Sequence, residues 1–406
     1  MALNWSFVFL FGLGLFTTFS SFRTVFRFIN GRDDSNFTQI VAKHGYLSEE
    51  HTVQTEDGYL LNLFRITHSP RCENEKTRTP VLLINGLIAS ADCFLDAGIE
   101  NGLPYLIADA CYDVWLGNAR GTNHGRAHTT LDPDSDEAFW DFSVDEIGQY
   151  DVPATIDYVL NSTGELQLNY IGVSQGSGSF FVMCSERPEY GDKVKVMIGL
   201  APASKHTHAK SPIFRTIGLH MRDYHSAYKA LGIWEIMWKG MLDPMRLMCL
   251  YKPQICYSVL GLLDAPHPGS FIEENLMQAL LHFPAGTSIK NLARYGQSTA
   301  VDRFCKFDYG PEKNMELYGG EPPEFNLSNV KMPTYFLHGK NDGIVDSKDI
   351  EWLVSQIPNV KEFVVLENPL WNHLDMVLSQ YLGRDVFPKI LKYLQILHAK
   401  CFIDAI

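Results

Sequence analysis

Short, continuous apolar runs separated by polar turns mark the first half of the chain: Val81 to Ile84, Asp113 to Leu116, Leu168 to Ile171 and Val194 to Ile198. Runs this short, with no alternation of apolar and polar positions, are the pattern of strands covered on both faces. Between them, Asp151 to Leu160 carries helical spacing, and Pro153 falls in the first turn, where its missing N–H costs nothing. Strand-like segments stop at Leu200 to Ala203 and resume at Thr334 to Leu337 and Phe363 to Leu366. Strands alternating with helices predict an α/β fold with a mostly parallel central sheet flanked by helices. Residues 204–330 break that rhythm. Their densest apolar stretch, Ile233 to Met248, combines Trp234, Trp238, Met237, Met241 and Met245 at mixed helical spacing. This predicts a helical insertion whose inner wall of adaptable Met and flat Trp suits acyl chains. An insertion leaving the carboxyl ends of parallel strands sits above whatever site those ends form.

The turn after Leu168 to Ile171 reads Gly172-Val173-Ser174-Gln175-Gly176. A Gly-x-Ser-x-Gly turn between strand and helix is a nucleophile elbow: the serine takes a strained conformation that lifts its hydroxyl above the sheet, and the glycines let the two elements approach. A neutral hydroxyl needs a base, and the base needs an acid to fix its tautomer. Both follow in chain order. Asp342 lies in the turn after Thr334 to Leu337 and is the predicted acid; His373 follows Phe363 to Leu366 through Pro369 and is the predicted base. The nearby Asp346, Asp349 and Asp375 read as surface or helix-capping acids, and His338 as a packed histidine at a strand end. Ser177 and Ser179 read as first-turn residues whose hydroxyls satisfy free amides. The developing oxyanion needs two backbone donors. Gln175 supplies one and Leu87, after the strand-ending Asn85-Gly86, the other.

The 406 residues, 46% of them hydrophobic, suffice for one large core plus an insertion. A net charge of −13 argues against nucleic acid as a partner and offers no basic patch for anionic membranes. Residues 1–20 are uncharged and largely apolar, and read as a secretory signal peptide. Asn36, Asn161 and Asn326 each head a glycosylation sequon. Eight cysteines are too sparse for a disulfide scaffold and lack zinc-site spacing. Cys249 and Cys256 are the expected local bridge, with the other six read mostly as buried thiols.

Matching stretches now accumulate: His44-Gly-Tyr46, Thr55-Glu-Asp-Gly-Tyr59, Asp113 to Gly121, Phe139 to Ser143, Tyr150 to Asp157, Pro284 to Ser288, Phe307 to Gly310 and Asn372 to Asp375. Through them the chain, from about His44 to about Leu382, resembles the acid lipases, the α/β-hydrolase family of gastric and lysosomal acid lipases and their insect relatives. The resemblance implies an α/β-hydrolase core at 21–203 and 331–406 under a helical cap at 204–330. It also implies hydrolysis of neutral lipid esters such as triacylglycerols or sterol esters. Ser174, Asp342 and His373 match the family's triad, and Leu87 and Gln175 its oxyanion donors. The expected setting is the secretory pathway, extracellular or lysosomal, with transient binding at a lipid–water interface and no metal, organic cofactor or obligate protein partner. Two departures stand out: Val173 and Asn85 occupy positions where the family usually carries His. They motivate the competing reading, a catalytically weak lipid carrier on a hydrolase fold.

Overall fold

The computed structural model describes residues 35–72, 78–245, 249, 252 and 254–403, with side chains to residue 396. The expected signal peptide lies outside the described residues. The strands are β1 (Leu47–Gln54), β2 (Tyr59–His68), β3 (Pro80–Ile84), β4 (Asp113–Gly117), β5 (Ala127–His128), β6 (Leu168–Val173), β7 (Val194–Leu200), β8 (Glu235–Ile236), β9 (Thr287–Ser288), β10 (Thr334–His338) and β11 (Val360–Val365). The main sheet runs β1-β2-β4-β3-β6-β7-β10-β11, with β5 beside β2. From β4 to β11 the pairings are parallel, while β1 and β2 form an antiparallel edge. That edge was not anticipated from the sequence. In β1, Leu-Ser-Glu-Glu-His-Thr-Val-Gln, only Val53 is buried, so a half-solvated strand offers little apolar signal.

Side-chain alternation along the parallel strands splits the core into two layers. Leu82 and Ile84 of β3 join Trp115, Tyr170, Met197 and Phe336 on one face; Val81 and Leu83 join Val114, Ile171, Ile198 and Leu337 on the other. The first layer is covered by α1 (Val152–Thr163) and α2 (Gln175–Glu186), through Ile156, Val159, Phe180 and Phe181. Pro153 does sit in the first turn of α1, and Gly164 ends that helix in the left-handed region at φ 71°.

Between β7 and β10 lie α3 (Pro212–Ala230), α4 (Gln254–Leu263), α5 (Glu273–His282), α6 (Ile289–Ala300) and α7 (Pro311–Tyr318), with a separate two-stranded antiparallel sheet of β8 and β9. The apolar stretch from Ile233 is not one helix: it passes through β8 and then turns before becoming helical at Asp243. Trp234 leaves it for the main core, while Ile233, Ile236 and Met237 pack with Met221, Ile289 and Leu292. Two small hydrophobic clusters result, and each is rooted on a loop of the main sheet. One takes in Leu87 and Ile88; the other takes in Leu374 and Leu378 around the Cys249–Cys256 disulfide. Cys72 and Cys111 also form a disulfide, which corrects their reading as thiols. They lie 39 residues apart, and sequence spacing carried no sign that the chain returns there. Cys93, Cys184 and Cys305 are buried and free. Among the described residues no helix is long and apolar enough to cross a membrane.

Candidate active site

β6 delivers its last residue, Val173, into Ser174, which adopts φ 51° and ψ −115°, and α2 starts at Gln175. A non-glycine residue at positive φ costs about 1–3 kcal/mol and persists only where its surroundings enforce it. Here they do. Ser174 N donates to Leu200 O at 2.9 Å, and Ser174 O accepts from the amides of Ser177, Gly178 and Ala203. The motif glycines are sterically obligatory: a Cβ on Gly172 would lie 2.6 Å from Ser177 N, and one on Gly176 would lie 2.2 Å from Ile84 O. Ser177 and Ser179 donate their hydroxyls to the carbonyls of Gly172 and Gly176. They therefore fasten the elbow from behind instead of accepting from amides, Ser177 on the strand end and Ser179 on the first turn of its own helix.

Gly86, after β3, faces the serine: its Cβ would lie 3.3 Å from that of Ser174. Leu87 follows, then Ile88 at φ 54°. Among the described residues, neither Leu87 N nor Gln175 N has a hydrogen-bond partner, so both donors are uncommitted. Asn85 braces this loop by donating from its side-chain amide to Ala89 O. Val173 is buried in the core layer with Ile171 and Leu200. Val173 is thus accommodated by packing, whereas the Asn85 side-chain oxygen is buried without a hydrogen-bond partner among the described residues. The side chain of Gln175 is held from above, accepting from Asn291 Nδ2 of α6 at 2.9 Å.

Asp342 and His373 meet: Nδ1 of the imidazole lies 2.8 Å from Oδ2 of the carboxylate. The other oxygen, Oδ1, accepts from the amides of Ile344 at 2.9 Å and Val345 at 2.7 Å. Burial opposes ionisation of Asp342, but the attraction and hydrogen bond of His373 outweigh it and hold the carboxyl below its ordinary range. Burial likewise disfavours the charged imidazole, yet Asp342, helped by Asp264, draws the pKa of His373 above its usual value. The other acids are committed elsewhere. Asp346 caps the helix Ser347–Gln356 and pairs with Lys210, Asp349 holds His208, and Asp375 holds His267 and Ser270. His338 comes within 3.7 Å of Asp342, but burial lowers its pKa and neither ring nitrogen makes a hydrogen bond among the described residues. Among the described residues no hydrogen bond reaches Ser174 Oγ, so the contact of serine with imidazole is open in this state. Such contacts commonly tighten only when substrate is bound.

Sequence reasoning missed what holds the acid–base pair. The chain entering after α4, Asp264 to Ser270, runs beneath both loops. Asp264 accepts from Gly343 N at 2.8 Å and from Leu374 N at 2.9 Å, Ala265 O accepts from Asn372 Nδ2, and Pro266 O from Asn341 Nδ2. His267 Nδ1 meets Asp375 at 2.6 Å, while Asp375 accepts from Asn372 N at 2.8 Å. Gly343 O accepts from the amides of Lys210 and Ser211, so both the N–H and the carbonyl of this residue are held.

Comparisons with known proteins agree with this architecture. A partial alpha/beta-hydrolase lipase region matches residues 37–98, and an alpha/beta hydrolase fold matches residues 79–217. Lipase 1 of Drosophila melanogaster is 38% identical over 90% of this chain and 81% of its own length. Gastric triacylglycerol lipase of Bos taurus is 33% identical over 89% and 91%. Lysosomal acid lipase/cholesteryl ester hydrolase of Homo sapiens is 32% identical over 86% and 88%. In fold, the chain is similar to a crystal structure described as a putative lipase from Sulfolobus solfataricus, with a TM-score of 0.58 at 15% identity, covering 86% of this chain and 94% of that one.

Proposed function

The chain belongs to the acid lipase family of the α/β-hydrolases, and from that premise we propose that Ser174, His373 and Asp342 carry out its ester hydrolysis. It is a lipase, a serine ester hydrolase. Ser174 Oγ attacks the ester carbonyl carbon as His373 accepts the hydroxyl proton, and Asp342 stabilises the resulting imidazolium. The carbonyl oxygen, now anionic, is met by the amides of Leu87 and Gln175. Collapse expels the alcohol with the proton from His373 and leaves an acyl-serine, which water hydrolyses by the same steps in reverse order.

One observation carries the reading: a buried Asp342–His373 pair at 2.8 Å, on the same sheet as a serine held at positive φ. The substrate class is a neutral lipid ester, with triacylglycerols and sterol esters suggested by what the gastric and lysosomal relatives are named for. Residues 204–330 act as the cap. Its cluster of Met221, Ile236 and Leu292 packs against Leu87 and Ile88, which gives the oxyanion loop an apolar neighbour suited to acyl chains. The two disulfides and the lipase relatives fit the secretory pathway, with an extracellular or lysosomal destination. Asn36, Asn161 and Asn326 are exposed and available for glycosylation, and the enzyme meets its substrate by transient binding at the lipid–water surface.

Purified protein assayed on emulsified triacylglycerol and sterol ester tests this. Wild type hydrolyses at least one of them and Ser174→Ala loses about 10⁴-fold or more in rate. Equal hydrolysis by both proteins contradicts the proposal.

A further inference from the structure

The clasp beneath the catalytic loops is built around one carboxylate. Asp264 is buried, 4% exposed, and stands at the end of α4, outside the main sheet. Its two oxygens take the amide of the residue after Asp342 and the amide of the residue after His373, at 2.8 and 2.9 Å. Gly343 is needed for this approach, since a Cβ there would lie 2.3 Å from Asp264 O. A carboxylate with one oxygen on each loop sets the spacing between acid and base as a two-pronged gauge. A buried carboxylate accepting backbone amides makes strong, charge-assisted bonds.

We propose that Asp264 is a positioning residue of the hydrolytic site, spanning the Asp342 and His373 loops and acting on the imidazole through its negative charge. The inference rests on the triad reading given above. Burial first, and then the charge of Asp342, push Asp264 up to about 7, while Asp264 in turn raises His373. The other titratable groups facing this cluster from the described residues are His338, His206, Lys210, Asp346 and, through Asp375, His267. Burial holds His206 near 3 and lowers His338 as well. The sign of the coupling follows. As the pH falls and Asp264 takes a proton, one of the two negative charges flanking His373 disappears, and the imidazole gives up its own proton more readily. The base thus keeps a neutral fraction at lower pH than it would beside a permanently charged pair of carboxylates.

The test is the pH profile, from 4 to 8, of kcat and KM on a soluble short-chain nitrophenyl ester, measured on the full-length wild type, Asp264→Asn and Asp264→Glu. Asparagine removes the charge and one acceptor. It is expected to lower kcat about 10-fold or more, as misplacement of reacting groups does, with KM within about 2-fold, and to move the rising limb of kcat/KM to lower pH. Glutamate restores the limb towards wild type. A purely structural residue would lower active protein without moving the limb, so an unmoved limb in folded Asp264→Asn, or a glutamate variant that behaves like asparagine, overturns the inference. Should the asparagine variant fail to fold, the wild-type profile decides. Two attracting groups spread the rise beyond a one-proton curve; a clean one-proton rise overturns it. A wild type that hydrolyses no ester at any pH removes the triad reading itself. An active wild type silenced by Ser174→Ala, with an unmoved limb in Asp264→Asn, removes only this inference.

Discussion

Ser174 and the Asp342–His373 pair are held by different means. Ser174 is fixed by the sheet: its amide is tied to β7, its carbonyl to the first turn of α2, and Gly176 packs against the backbone at the end of β3 while Gly172 packs against that of α2. Asp342 and His373 sit on loops that leave the sheet, and their geometry is set from outside it, by Asp264, Pro266, His267 and the amides of Lys210 and Ser211. The two regions also differ in core size. Each face of the main sheet carries a large apolar layer, whereas the segment between β7 and β10 has two small clusters that borrow Leu87, Ile88, Leu374 and Leu378 from the catalytic loops. The stable half therefore supplies the strained group, and the half with less apolar burial supplies alignment. Local opening is expected to begin where buried contacts are fewest, so loss of alignment precedes loss of the elbow.

The sharpest contrast comes from Asp342→Asn. It preserves volume and leaves the elbow alone, but it removes the charge and the tautomer control on His373, and hydrolysis is expected to fall about 10⁴-fold with little change in melting temperature. Kinetics beside a thermal melt check this. Gly176→Ala attacks the other region: with its Cβ 2.2 Å from Ile84 O, the elbow and β3 must separate. Overpacking against backbone costs about 3 kcal/mol, and the variant is expected to melt lower and to lose activity together with folded protein in a denaturant titration. His267→Gln has the smallest effect. It weakens the brace on Asp375 and is expected to cost about 2 kcal/mol, lowering kcat severalfold while hydrogen exchange at Leu374 and Gly343 quickens and that at Ser174 stays slow. If the amides of the elbow quicken equally, the two regions are not separately held.

Much of the first region was legible in the sequence because its chemistry is local. Gly172 to Gly176 specify the elbow within five positions; in the other region Asp342 follows a fully buried strand and His373 follows a strand recognisable from its apolar second half. The strand starting at Val360 is legible in the sequence only from Phe363 because two of its first three residues, Lys361 and Glu362, are charged. β1 was invisible for the same reason. The clasp left no signal at all: Asp264 reaches Gly343 across 79 residues, and a lone aspartate in an apolar segment reads as a surface acid until the fold buries it. Cys72 and Cys111 were misread likewise, since their pairing depends on where the chain returns. Of the two positions that depart from the family pattern, Val173 lies in the core and Asn85 donates to Ala89 O, with its side-chain oxygen buried and, among the described residues, unpaired.

The central claim is that one hydroxyl, at Ser174, is activated by His373. Mapping the adduct of a lipid-like phosphonate by mass spectrometry, on wild type and on His373→Ala, tests it most directly. The account predicts a single modified residue, Ser174, in the wild type and a labelling rate at least about 100-fold lower in the variant, the scale of a general base. Modification at another residue, or equal rates in the two proteins, contradicts it.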